Sequence, residues 1–222
     1  MKIKICGLTR REDVLAVNQW KPDYAGLVFA PGKRQLTAEK ARELRELLLP
    51  EIPSVGVFVN SPMESILSLA ENGTVNLIQL HGDEDDAYIL ELKKRLPSPL
   101  PIIKAVRVQR TEDMTRAEML PADFLLFDTY IKGLYGGSGR TFDWTMIPAI
   151  KKPWFLAGGI GFSNIKDAMK TKAFCLDLSS SLETEGKKDP EKIKEIIQTM
   201  RSENLCQKED SDSTADSLSP KR

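Results

Sequence analysis

Short unbroken apolar runs recur along the chain at residues 3–6, 24–29, 54–59, 77–80, 101–106, 124–127, 154–157 and 174–178, rich in Val, Ile, Leu and Phe. Runs of this length without polar alternation predict strands covered on both faces, the mark of a parallel sheet. Between most of them the pattern turns helical. Thr37-Ala38-Glu39-Lys40-Ala41-Arg42-Glu43-Leu44 opens on a capping threonine followed by helix formers. Residues 85–96 open on acidic groups that suit the positive end of a helix dipole, and 189–200 open on Asp189-Pro190-Glu191. The segment after the fifth run, 109–121, is short and predicts a reduced or irregular helix.

Eight strands spaced by roughly 20–30 residues predict one (β/α)8 TIM barrel over residues 1–204, near the lower size for that fold. A doubly wound open sheet is the main alternative, but its glycine-rich dinucleotide fingerprint is missing from the first strand-to-helix turn. Beyond Asn204 the residues are almost all polar, with little to bury, which predicts a disordered tail over 205–222.

Charge narrows the partners. Lys plus Arg and Asp plus Glu both number 32, so no global field draws the chain to nucleic acid or to a membrane surface. No apolar run approaches the ~18 residues of a transmembrane helix. The chain opens on a strand rather than a signal peptide, and Cys6, Cys175 and Cys206 are odd in number and scattered. Both features point to a reducing cytoplasm. The cysteine spacing makes no tetrahedral zinc site, and a lone histidine makes no multi-histidine one, so no metal is expected.

A barrel keeps its reacting groups at the C-terminal ends of its strands. There the first strand ends in Cys6 and the sixth in Asp128, a thiol and a carboxylate able to serve as base and acid. The fourth ends Gln79-Leu80-His81-Gly82, with the only histidine. The seventh runs into Gly158-Gly159-Ile160-Gly161 and the eighth into Ser179-Ser180-Ser181. Exposed backbone N–H groups and hydroxyls after strands seven and eight suit a phosphate. The guanidinium of Arg34 offers a planar fork for a carboxylate, or is simply a solvated surface charge. The loop from Leu134 to Trp144 is either a lid or an ordinary long connection.

Taken in order, Lys4-Ile5-Cys6-Gly7-Leu8-Thr9, Gly26-Leu27-Val28-Phe29, Lys33-Arg34, Gly56-Val57-Phe58-Val59-Asn60, Gln79-Leu80-His81-Gly82, Phe127-Asp128, Gly136-Gly137-Ser138-Gly139, Phe142-Asp143-Trp144, Leu156-Ala157-Gly158-Gly159-Ile160, and Asp177-Leu178-Ser179-Ser180 followed by Glu183 resemble the phosphoribosylanthranilate isomerases of tryptophan biosynthesis. The resemblance spans nearly all of 1–204. It implies an Amadori rearrangement of N-(5-phosphoribosyl)anthranilate without cofactor or metal, by a monomer or homodimer. It further implies that Asp128 is the general acid at the furanose ring oxygen and Cys6 the general base at the sugar C2. Arg34 would take the anthranilate carboxylate and the last two loops the phosphate. Position at the strand ends, rather than the resemblance, makes Gln79, His81 and Asp177 candidate neighbouring contacts. Two features depart from the family pattern: Ser181 stands where the family commonly has glycine, and the polar tail is additional.

A thiol of ordinary pKa, about 8.5, is mostly protonated at neutral pH. Strand alternation puts Lys4 on the face of Cys6, and Asp177 on the neighbouring strand is a candidate counter-ion. Lys4 either raises the thiolate fraction of Cys6 or belongs to an ion pair that only stabilises the barrel. Two rival functions remain: another sugar-phosphate barrel enzyme, for which Lys104 is the central catalytic candidate, and a barrel that binds phosphate without turnover.

Overall fold

The first apolar run forms β1 (Lys2–Cys6), and the next elements alternate strictly: α1 (Arg11–Trp20), β2 (Tyr24–Val28), α2 (Ala38–Leu47), β3 (Ser54–Phe58), α3 (Met63–Glu71), β4 (Leu77–Leu80), α4 (Asp86–Arg95), β5 (Ile102–Val108) and α5 (Thr111–Ala117). Then come β6 (Phe124–Thr129), β7 (Trp154–Leu156), α6 (Ile165–Lys170), β8 (Cys175–Leu178), the short strands β9 (Glu183–Thr184) and β10 (Lys187–Lys188), and α7 (Pro190–Asp216). The computed structural model describes the backbone of residues 1–129 and 141–216, with side chains as far as Leu205. Residues 136–139 of the loop after β6, and with them most of the lid candidate, lie outside the described residues. Its end forms a 3-10 turn at Trp144–Met146. α7 carries the backbone to Asp216, into the stretch expected to be a tail, and 217–222 lie outside the described residues.

Strands β1 to β8 pair in parallel, each with the next, and β1 closes on β8 with Lys4 opposite Asp177. This is the (β/α)8 barrel that the apolar runs predict. The reduced helix expected after the fifth strand is α5, seven residues long.

The strand period of two divides the side chains between two cores. Ile3 and Ile5 face outward onto Val14, Val17 and Leu44 of the flanking helices. Tyr24, Val55, Leu77, Ile103, Leu126 and Phe155 fill the interior of the ring. At its floor the Phe155 ring lies 5.7 Å from those of Tyr24 and Phe124 and 5.8 Å from Phe174. Above this plug the same alternation can deliver only inward-facing residues near the C-terminal strand ends, and there the sequence turns polar.

Candidate active site

Following β1 upward, the inward residues are Lys4 and then Cys6. On β2 the register partner of Cys6 is Gly26, and a Cβ on Gly26 would fall 2.7 Å from the Cys6 sulfur. Glycine is therefore required for the thiol to sit inside the ring. A similar approach is made on the opposite wall, where a Cβ on Gly158, at φ +85°, would fall 2.5 Å from Asp128 Oδ1.

Asp128 is 3% exposed. Its Oδ1 accepts from the Thr129 backbone N–H at 2.7 Å, and its Oδ2 lies 3.2 Å from His81 Nε2. Gln79, two residues before His81 on the same face, brings Nε2 to 2.8 Å from His81 Nδ1. The three side chains thus form one chain that ends on the candidate acid.

The thiol stands in a different field. Lys4 is fully buried, with Nζ 2.9 Å from Asp177 Oδ2. Burial alone would lower the Lys4 ammonium pKa, but Asp177 and Cys6 more than reverse that and raise it. The expected counter-ion is thus in place. Burial also raises the Cys6 thiol, and the downward pulls of Lys4 and Lys188 do not overcome it, with Asp177 adding to the rise. Lys4 therefore pulls the thiol toward the thiolate, while burial leaves its pKa above the ordinary value.

Arg34 is neither a solvated surface charge nor an open fork. Its Nε and Nη2 hold the two oxygens of Glu183 at 2.7 and 2.8 Å. Lys188 Nζ reaches the same carboxylate at 2.7 Å and the Ser179 carbonyl at 3.0 Å. Burial would raise the Glu183 carboxyl, but Arg34 and Lys188 bring it down to about 2. Sequence reasoning gave Lys188 no part, although its side chain is nearly inaccessible. The local signal was the Glu185-Gly186 turn, both residues at positive φ (52° and 74°), which folds β9 and β10 back over the strand ends. Arg10, paired with buried Asp13, anchors this hairpin by donating to the Lys188 carbonyl at 3.1 Å.

One cleft of about 850 Å³ joins these groups. Cys6, Asp128, His81, Gln79 and Asp177 line its base, Arg34 and Glu183 one side, and Gly158, Gly159, Ser179 and Ser180 another. The Ser179 hydroxyl is committed to the Cys6 carbonyl at 3.0 Å. Ser181 does not line the cleft. In the 3-10 turn Ser180–Leu182, side chains leave about 120° apart. Ser180 consequently faces the cleft while Ser181 packs toward Gly161, its hydroxyl buried and without a partner among the described residues. Lys104, the lysine considered for a rival chemistry, sits outside the ring with Nζ 3.0 Å from Glu84 and 2.7 Å from the Gly82 carbonyl. Among the described residues no group of three or more His, Cys, Asp or Glu could hold a metal ion, and no helix is long and apolar enough to cross a membrane.

The family model and the curated relatives agree on one family. Residues 3–199 match the family model described as N-(5'phosphoribosyl)anthranilate (PRA) isomerase. The N-(5'-phosphoribosyl)anthranilate isomerase of Endomicrobium trichonymphae is 50% identical over 202 residues, covering 90% of this chain and 98% of that protein. The crystal structure of phosphoribosyl anthranilate isomerase from Thermotoga maritima superposes with a TM-score of 0.79 at 33% identity, covering 91% of this chain and 99% of that one. Another solved isomerase, in complex with reduced 1-(o-carboxyphenylamino)-1-deoxyribulose 5-phosphate, gives a TM-score of 0.75 at 32% identity, with 91% and 99% covered.

Proposed function

The chain belongs to the N-(5'-phosphoribosyl)anthranilate isomerase family, and from that premise we propose how its own residues divide the reaction. The chain converts N-(5'-phosphoribosyl)anthranilate to 1-(2-carboxyphenylamino)-1-deoxyribulose 5-phosphate, the isomerisation step of tryptophan biosynthesis. Asp128 protonates the furanose ring oxygen as the C1–O bond breaks, and the anilino nitrogen supplies the electron pair that makes the iminium. Cys6 then takes the C2 proton, and the enolamine that forms tautomerises to the ketone. Over the two steps Asp128 gives up one proton and the Cys6 thiolate takes one, and exchange with solvent resets both. Burial raises the free thiol. Once the cationic iminium stands beside it, the thiol gives its own proton to solvent, because a positive charge next to a buried thiol favours the thiolate. That thiolate is what takes the C2 proton.

Arg34 receives the anthranilate carboxylate, which displaces one or both oxygens of Glu183 from its fork. Gly158, Gly159 and Ser180 carry the phosphate. Ser181 is not a phosphate contact in this reading. The observation that carries it is that the acid, the thiol, the guanidinium and the glycine and serine turns all line one cleft. A catalytic thiol must stay reduced, which supports a cytoplasmic location. Its partner is the small phosphorylated substrate, with neither nucleic acid nor membrane, and the active form is a monomer or homodimer.

Isomerisation of freshly generated substrate, followed by loss of anthranilate fluorescence, tests the assignment. Cys6→Ser and Asp128→Asn should each lower kcat by about 10²- to 10⁴-fold while the folded spectrum is kept. Turnover by Asp128→Asn at the wild-type rate would remove Asp128 from the acid role.

A further inference from the structure

Gln79 is 1% exposed, yet its side chain is poorly used as a wall. Its Oε1 is buried with no hydrogen-bond partner among the described residues. Its other end bonds His81 Nδ1 at 2.8 Å. A leucine in the same place would avoid leaving a buried carbonyl unpaired, at a cost of about 1–3 kcal/mol. The one thing glutamine adds is a donor aimed at the histidine ring.

That donor has a definite consequence. An amide NH2 can only donate, so Nδ1 of a neutral His81 is the acceptor and the ring proton resides on Nε2. Nε2 lies 3.2 Å from Asp128 Oδ2. An N–H facing a carboxyl oxygen binds more strongly after the carboxyl has lost its proton, because the bond is then charge-assisted. It is therefore worth more in the transition state of proton delivery than before it, the condition for accelerating the step. The opposite tautomer would turn a lone pair toward Asp128 and hold its proton back. Asp128 as a carboxylate favours the Nε2–H form unaided; protonated, as an acid must be before delivery, it exerts no such preference.

We propose that Gln79 is a positioning residue that locks His81 in its Nε2–H tautomer while Asp128 is still protonated, so that a donor is ready where negative charge appears on Asp128. The proposal rests on the acid role given to Asp128. Among the described residues the titratable and charged groups near the pair are Lys4 and Cys6 on β1, Asp177 on β8, and Arg107 on β5, the register partner of Asp128, whose guanidinium pairs with Asp83.

The chain has a single histidine, so ¹⁵N spectra of the imidazole report on His81 alone. They are to be recorded for the substrate-free wild type, Asp128→Asn (a neutral stand-in for the protonated acid) and Asp128→Asn with Gln79→Met. The expected result is Nε2–H in the first two, with the Nδ1–H form gaining substantially in the third. Gln79→Met alone should lower kcat roughly tenfold with KM within about twofold, in the range usual for partners that orient a reacting group. An Nδ1–H ring in the wild type overturns the proposal, as does an unchanged tautomer in the double variant or an unchanged kcat in Gln79→Met. The wild-type spectrum needs no variant to fold. Failure of the acid assignment itself is read separately, from turnover of Asp128→Asn.

Discussion

At the floor of the barrel Phe155 lies among the rings of Tyr24, Phe124 and Phe174 with no polar side-chain atom of its own to satisfy. At the mouth, residues on the same inward face are Cys6, Gln79, Asp128 and Asp177, and two of their polar atoms, Gln79 Oε1 and Asp177 Oδ1, are buried without partners among the described residues. The floor is a packed plug whose parts are interchangeable for others of like volume. The mouth is a set of costly burials that only a reaction justifies. Stability and chemistry are thus divided along the barrel axis, and the Lys4–Asp177 pair lies at the join: its ammonium is sealed in the ring, while its carboxylate reaches the cleft.

That join is where the contrast breaks most visibly. Lys4→Met leaves Asp177 buried and uncompensated, and should cost about 3–5 kcal/mol of unfolding free energy in urea. Adding Asp177→Leu should recover most of this, while activity stays lost. In the single variant the Cys6 thiol should titrate higher still, because Lys4 is its strongest downward pull. An unchanged thiol pKa would reduce Lys4 to a purely structural ion. The floor gives the cleaner half of the comparison. Leu126→Ala, fully buried inside the ring, should lose about 2–5 kcal/mol with kcat/KM of the folded fraction unaltered. A large fall in kcat/KM would mean that floor packing sets the geometry of the mouth.

The smallest effect comes from the rim. The Glu183 carboxyl is depressed from 4.5 to about 2 in the folded chain. Its contribution to stability is complete above the unfolded value and is lost as pH falls from 4.5 through 2. Replacing it by glutamine should flatten the acid limb of a stability-versus-pH curve in that window, and only modestly, since the group is only partly shielded from solvent. An identical acid limb in Glu183→Gln would show that Arg34 and Lys188 are equally well held without the charge.

The floor and the outer core were legible in the sequence because burial on both faces leaves a one-dimensional trace, the unbroken run of Val, Ile and Leu. Part of the mouth was legible for a related reason: a period of two puts Lys4 with Cys6, and Gln79 with His81, on one face, so finding one inward residue finds the next. What alternation cannot supply is the partner across space. Sequence leaves Arg34 as either a fork or a solvated charge because its partner Glu183 lies 149 positions away and meets it only when the barrel closes β8 on β1. Lys188 carries no signal of its own in the sequence, because only the Glu185-Gly186 turn folds it back over the strand ends. Ser181 groups with its neighbours in sequence, whereas a 3-10 turn sends three consecutive side chains in three directions. Lys104 seemed central because a strand's inward face is not marked in a run where both faces are buried.

Gly26 and Gly158 bear no reactive atom, yet each leaves open the volume that its chemical neighbour occupies. A map of mutational tolerance over this chain would accordingly show two kinds of forbidden position that look alike in the data: those where function is removed, and those where one added methyl evicts the thiol or the carboxylate from its place. Drift in the lineage is confined as much by this empty space as by the groups it surrounds.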